Sequence, residues 1–164
     1  MITPLCDNKV NFMASGGGVL AAIGQFIGDA HGVWRWIVLT VALVTVVKAL
    51  VGWLGKQRWT ALDERLGLFF TIAIDIQVLL GLLAWLIGPF NFRQLSVAMD
   101  NPFLRFYLLE HPVIGVLAVA LAHIGRGRSR KAKTDAGKHR AAFIFYLLSF
   151  LFIMLIFILR TTLG

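Results

Sequence analysis

The sequence predicts an all-α integral membrane protein, a four-helix bundle with both termini outside the membrane, and three observations point there. The chain is 59% hydrophobic and only 15% charged over 164 residues, too apolar for a domain that must solvate its whole surface. Four apolar runs reach the roughly 20 residues a helix needs to cross a hydrocarbon core of about 30 Å. The charge is lopsided, 16 lysines and arginines against 8 acids, and the basic residues gather between two of those runs.

Residues 1–30 precede the spans. A glycine run, Gly16-Gly17-Gly18, leads into a short apolar stretch over residues 19–27. It lacks the basic start and small-residue cleavage site of a secretory signal. It reads as an interfacial or partner-binding extension, with Asp29 capping a helix that starts near Ala30. The four-span domain then occupies residues 31–164.

Span one covers residues 34–54, with Trp34 and Trp36 at one end and Trp53 at the other, where amphipathic rings settle at membrane interfaces. Span two covers 66–87 and closes at Gly88-Pro89. Span three covers 103–124 and is entered through Asp100-Asn101-Pro102, an Asn or Asp cap with proline in the first turn. Span four, 141–159, is nearly all Phe, Leu and Ile. Its Phe143, Phe145, Phe150, Phe152 and Phe157 point around all sides, a greasy wall for lipid or another helix.

The connection over 125–140 holds Arg126, Arg128, Arg130, Lys131, Lys133, Lys138 and Arg140, whereas 89–102 holds only Arg93. That bias assigns the former to the cytoplasm, and Lys56, Arg58 and Arg65 fall on the same side by alternation. Wedged between two spans, the run reads as an orientation and lipid-headgroup element. A nucleic-acid partner is not expected.

Ionisable groups inside spans cost several kcal/mol unless paired or functional. Lys48 lies about 9 Å from the inner end of span one and Asp75 about 13 Å from the inner end of span two, so a structural ion pair between them is expected. A proton relay or quinone contact is the functional alternative for Asp75. Arg35 and Glu110 lie toward the outer ends of spans one and three and are expected to approach each other. Arg35 also suits the acidic propionates of a porphyrin.

Four histidines remain as ligand candidates, because the single cysteine, Cys6, excludes an internal disulfide, a four-cysteine metal site and thioether-linked haem. His31 stands at the outer entrance of span one and His111 about 12 Å into span three. His123 ends span three on the inner side and His139 begins span four there. Haem in a helix bundle is held by imidazoles from facing helices, so these make an outer and an inner candidate pair. His111 and His123 are about 18 Å apart along the axis, which suits two stacked haems. They are also about 120° apart around it, which puts two haems on different faces. Tyr107, one turn before His111, is a candidate supporting group. No phosphate loop, nucleophile-and-base pair or His-Glu-x-x-His spacing occurs, so an independent enzyme is not indicated.

The runs His31-Gly-Val-Trp-Arg-Trp, Trp59-Thr-Ala-Leu-Asp-Glu-Arg-Leu-Gly-Leu-Phe-Phe-Thr, Leu104-Arg-Phe-Tyr-Leu-Leu-Glu-His-Pro, Ala122-His-Ile-Gly-Arg-Gly-Arg and Lys138-His-Arg resemble a family of small four-helix bacterial membrane proteins of the cytochrome b-like type. The resemblance spans about residues 31–159. It implies recurrent histidines at His31, His111 and His139, with His123 and Asp75 at more variable positions. The expectation is a b-type haem protein, with one or two haems, that passes electrons in the bacterial cytoplasmic membrane. Its partners would be the lipid bilayer, other membrane subunits of a respiratory or photosynthetic complex, and a quinone. The rival expectation is a haem-free accessory subunit that binds lipids, pigments or neighbouring subunits.

Overall fold

The computed structural model describes residues 17–88 and 92–163. Four long helices account for most of them: α1 (Gly17–Leu54), α2 (Ala61–Ile87), α3 (Pro102–Lys131) and α4 (Asp135–Leu163). A 3₁₀ turn, Phe92–Gln94, and a single helical turn, Leu95–Ala98, lie between α2 and α3. All four long helices have the length and apolarity to cross a membrane, and no strand occurs among the described residues.

The expected break near residue 30 is absent. Helix α1 runs unbroken from Gly17, and Asp29 sits inside it, accepting a hydrogen bond from Gln25 Nε2 at 3.1 Å instead of capping a helix start. The apolar stretch over residues 19–27 is therefore the first part of α1. Gly24 explains why glycine is found there: a Cβ at that position would collide with the carbonyl of Ile87, where α1 and the end of α2 touch backbone to backbone. The rest of the expected extension, Cys6 included, lies outside the described residues.

The turn between α1 and α2 is closed by Lys56 in the left-handed region, φ 49°, with Gln57 N–H donating to the Gly52 carbonyl at 2.9 Å. This is the helix-ending pattern that satisfies orphan carbonyls. Helix α2 opens on Thr60, whose N–H and hydroxyl both donate to Asp63 Oδ2 at 2.8 and 2.6 Å. Asn101 caps α3 as its sequence suggests, accepting from the N–H groups of Phe103 and Leu104, and Pro102 takes the first helical position. The basic connection is shorter than the apolar boundaries imply. Helix α3 continues to Lys131 and α4 starts at Asp135, so Arg126, Arg128 and Arg130 line the last turns of α3, where cations complement the helix dipole.

Helix α1 packs on α2 and α4, and α3 packs on α2 and α4, closing a ring in chain order. Its axis is filled by Val38, Ala42, Val46 and Ala49 of α1, Phe70, Ala73 and Ile74 of α2, Ala118 and Ala122 of α3, and Ala142 and Tyr146 of α4. The spacing of the α1 set, three or four residues apart, is one helical stripe. The many alanines let backbones approach, which is how helices associate where lipid removes the hydrophobic drive between them. Tyr146 crosses the ring to meet Gly67 and stands edge-on to Phe70 at 5.5 Å. Ser149 Oγ ties α4 to the Ala118 carbonyl at 2.7 Å.

The α2–α3 seam is held differently, by three polar links along its length. Trp85 Nε1 donates to the Leu108 carbonyl at 3.2 Å, Asp75 meets His123 at 2.8 Å, and Glu64 meets Arg130 at 3.2 Å.

Candidate functional site: an imidazole pair across the bundle

The end of the bundle away from the basic run brings His31 of α1 and His111 of α3 together across the ring. Local backbone chemistry places His111. Pro112 has no N–H, so the Leu108 carbonyl, four residues before it, loses its helical partner; the Trp85 indole takes that carbonyl instead. The preceding residues Phe106–Glu110 form a π-turn, and His111 N–H bonds to the Phe106 carbonyl, five residues back. Such a bulge turns the following side chains relative to a straight α-helix. His111 emerges on the bundle's inner side, beside Phe106, whose ring centroid lies 5.8 Å away.

His31 is fixed by one residue of α2. Gln77 contributes its backbone carbonyl to His31 Nδ1 at 3.0 Å, and its side-chain Nε2 contacts His31 Nε2 and the His31 carbonyl, each at 3.2 Å. A carbonyl only accepts, so Nδ1 carries the proton and Nε2 holds the lone pair. A backbone carbonyl on one imidazole nitrogen is the arrangement that commonly orients a metal-ligating histidine through the other. The ring lies against Gly81, where a Cβ would stand 2.9 Å from Cε1.

The two imidazole centroids are 5.8 Å apart with ring planes at 62°. At this separation and angle the two rings are in edge-on contact. The Nδ1 atom of His111 is buried with no hydrogen-bond partner among the described residues. Arg35 of α1 and Arg160 of α4 are near enough to act electrostatically on both imidazoles, and Arg35 also feels Tyr107. The Arg35 Nε is buried without a hydrogen-bond partner among the described residues. The expected approach of Arg35 to Glu110 does not occur: Glu110 binds Arg105 at 2.9 Å, and the Arg35 guanidinium lies 5.7 Å from the Trp36 ring centroid.

The other candidate pair is not brought together. His123 turns outward to Asp75, and both side chains are about half exposed. His139 is fully buried, its ring 4.9 Å from Trp59 and seated where Gly52 lacks a side chain. Neither ring nitrogen of His139 has a hydrogen-bond partner among the described residues. The rotation of about 120° between His111 and His123 separates them as the spacing implies, one facing in and one facing out. The expected Lys48–Asp75 pair is likewise replaced. Lys48 Nζ binds Asp63 Oδ1 at 2.9 Å, because Asp63 is held at the start of α2 by its capping role, level with Lys48 near the end of α1. Among the described residues no group of three or more His, Cys, Asp and Glu gathers as a metal site.

Sequence reasoning omitted four contributors. Gln77 and Gly81 interrupt an apolar run at a four-residue spacing, a signal that both share one helix face. Gly52 is a glycine inside a helix for no local reason, which marks close packing. Arg160 is a charge at the end of the most apolar span. No protein-family model, curated protein or solved structure matches the chain.

Proposed function

We propose that the protein is a membrane electron carrier that holds one b-type haem between His31 and His111. The observation that carries this reading is the pair of imidazoles from opposite helices, 5.8 Å apart, with the His31 tautomer set by the Gln77 carbonyl. In this reading the iron supplies the one-electron chemistry, and the chain supplies ligands, orientation and a dry pocket. His31 and His111 donate nitrogen lone pairs. Gln77 holds the first imidazole through its backbone carbonyl on Nδ1, so His31 would offer its other nitrogen. Gly81 provides room for the His31 ring. Arg35 and Arg160 offset the charge of the haem carboxylates, with Tyr107 beside them. The second haem has no support in the geometry, since His123 and His139 face different surroundings, so the reading is one haem per chain.

The placement that goes with it is the bacterial cytoplasmic membrane. The basic ends of α3 and α4 lie in the cytoplasm and both termini outside, and the chain works in a larger energy-converting complex that exchanges electrons through a quinone or a neighbouring subunit. A reduced-minus-oxidised spectrum of the purified protein tests the haem. A b-type difference spectrum that disappears in both His31→Ala and His111→Ala is the expected result; a well-folded wild-type protein without haem overturns the reading. The alternative, a haem-free accessory subunit, is favoured by one observation, the polar pair Asp75–His123 on the outside of the bundle.

A further inference from the structure

Asp75 and His123 break the usual rule for ionisable groups in membrane helices, which face the bundle interior or a water-filled path. Asp75 is near the middle of α2, eleven residues and about 16 Å of rise from Glu64, where Glu64 meets the basic end of α3. The two side chains bond at 2.8 Å, yet they are 48% and 50% exposed. Around them the surface is apolar: Ile72 and Leu79 on α2, and Val116, Leu117 and Ile124 on α3, are all exposed. Ala120, one turn before His123, is exposed too and keeps the centre of the face shallow. The pair thus lies at mid-depth on a surface that otherwise suits lipid, and lipid offers it no hydrogen-bond partner.

We propose that this α2–α3 face is covered by a second copy of the same chain, related by a two-fold axis. Charge complementarity selects this occupant. An acid and a base side by side form a self-complementary patch, and a two-fold axis between two such patches sets Asp75 of each chain against His123 of the other, as an isologous interface requires. Four groups of alternating character then satisfy one another away from lipid. Small Ala120 near the axis allows the helices to approach closely. A lipid-soluble quinone or a different subunit would also meet the pair with polar groups, but neither has a reason to present an acid and a base in the matching order.

The inference is independent of haem binding and has its own readout. The mass of the protein in detergent micelles or nanodiscs is expected to be that of a dimer, falling to a monomer in Asp75→His and in His123→Asp, each of which places like groups across the axis. Co-expression of D75H and H123D chains carrying different tags restores an acid opposite a base in both cross-chain contacts, while each chain's internal pair stays mismatched. The expected result is that the mixed pair co-purifies at least about tenfold more than either variant with itself, a difference of about 1.4 kcal/mol. If the variants fold poorly, Ala120→Cys in a Cys6→Ser background is expected to form a disulfide-linked dimer in native membranes. A monomeric wild type, a dimer unchanged by both single variants, failure of the mixed pair to associate, or cross-linking of the Ala120→Cys protein only to another protein overturns the proposal.

Discussion

The two ends of this bundle use the same residue type for different purposes. At the end away from the basic run, His31 and His111 meet across the ring, one nitrogen of His31 is committed to a backbone carbonyl, and two arginines stand nearby. Toward the basic end, His139 fills a notch opposite Gly52 and His123 faces outward to an acid. Similar positions along the bundle do not by themselves bring two imidazoles together. Two imidazoles on different helices meet only if helix phase turns both inward, and here a π-turn and a proline set the phase of His111 whereas nothing corrects that of His123.

The contrast sharpens through substitutions, of which the largest effect is expected at the proposed ligands. His111→Ala should lower haem per chain by at least about tenfold, a lower bound taken from what loss of even a supporting partner does to metal sites. The thermal unfolding midpoint of haem-depleted protein should barely change. His123→Ala should leave haem content intact in the same assay. Equal loss in both variants would erase the distinction between the two ends.

Gly81→Val should follow. Its side chain would displace the His31 ring, since even a Cβ there lies 2.9 Å from Cε1, so haem retention should fall severalfold. Gly115→Ala on α3 is the control, because a Cβ at Gly115 meets nothing within 4 Å and haem retention should be unchanged.

Toward the basic end the expected losses are in stability. Asp63 is almost fully buried, 3% exposed, with Lys48 28% exposed against it. Lys48→Met leaves that carboxylate without its cation, and a destabilisation of about 2 kcal/mol is expected, reduced from the 3–5 kcal/mol of a fully buried pair by solvent access to the lysine. The double variant Lys48→Met with Asp63→Asn should recover part of it. Reversible unfolding in mixed micelles measures both, and the haem spectrum should not move.

The smallest effect belongs to His139. Its two nitrogens are buried without partners among the described residues, which costs on the order of 1–3 kcal/mol each if nothing meets them. A flat apolar replacement, His139→Phe, offsets its tighter fit against Gly52 by removing that penalty. Stability should change by less than about 1 kcal/mol, with haem content unaltered.

Much of the architecture could be read from the residues, because apolar length and caps are local signals. The four helices, the Asn101-Pro102 start and Trp53 near the end of α1 follow from such signals, whereas Trp34 and Trp36, expected at a helix end, lie midway along α1 because that helix begins at Gly17. The continuity of α1 through residue 30 did not, since Asp29 caps and Asp29 inside a helix look alike until it is known that Gln25 one turn earlier bonds it. At the site, His31 and His111 stood out as polar groups near one depth, and the phase argument against His123 was available from twelve residues of spacing. The partners of the charged groups were not legible. Lys48 chose Asp63 over Asp75 because a capping box fixes Asp63 in place, and Gln77 reached His31 through its main-chain carbonyl, a group that no sequence pattern displays.

Haem content per chain, measured on the purified wild-type protein by pyridine haemochrome against amino-acid analysis, tests the central claim most directly. One b-type haem per chain, kept when His123 and His139 are both replaced by alanine, is the predicted result. Two haems per chain, or none in a protein whose helices are intact, would contradict it.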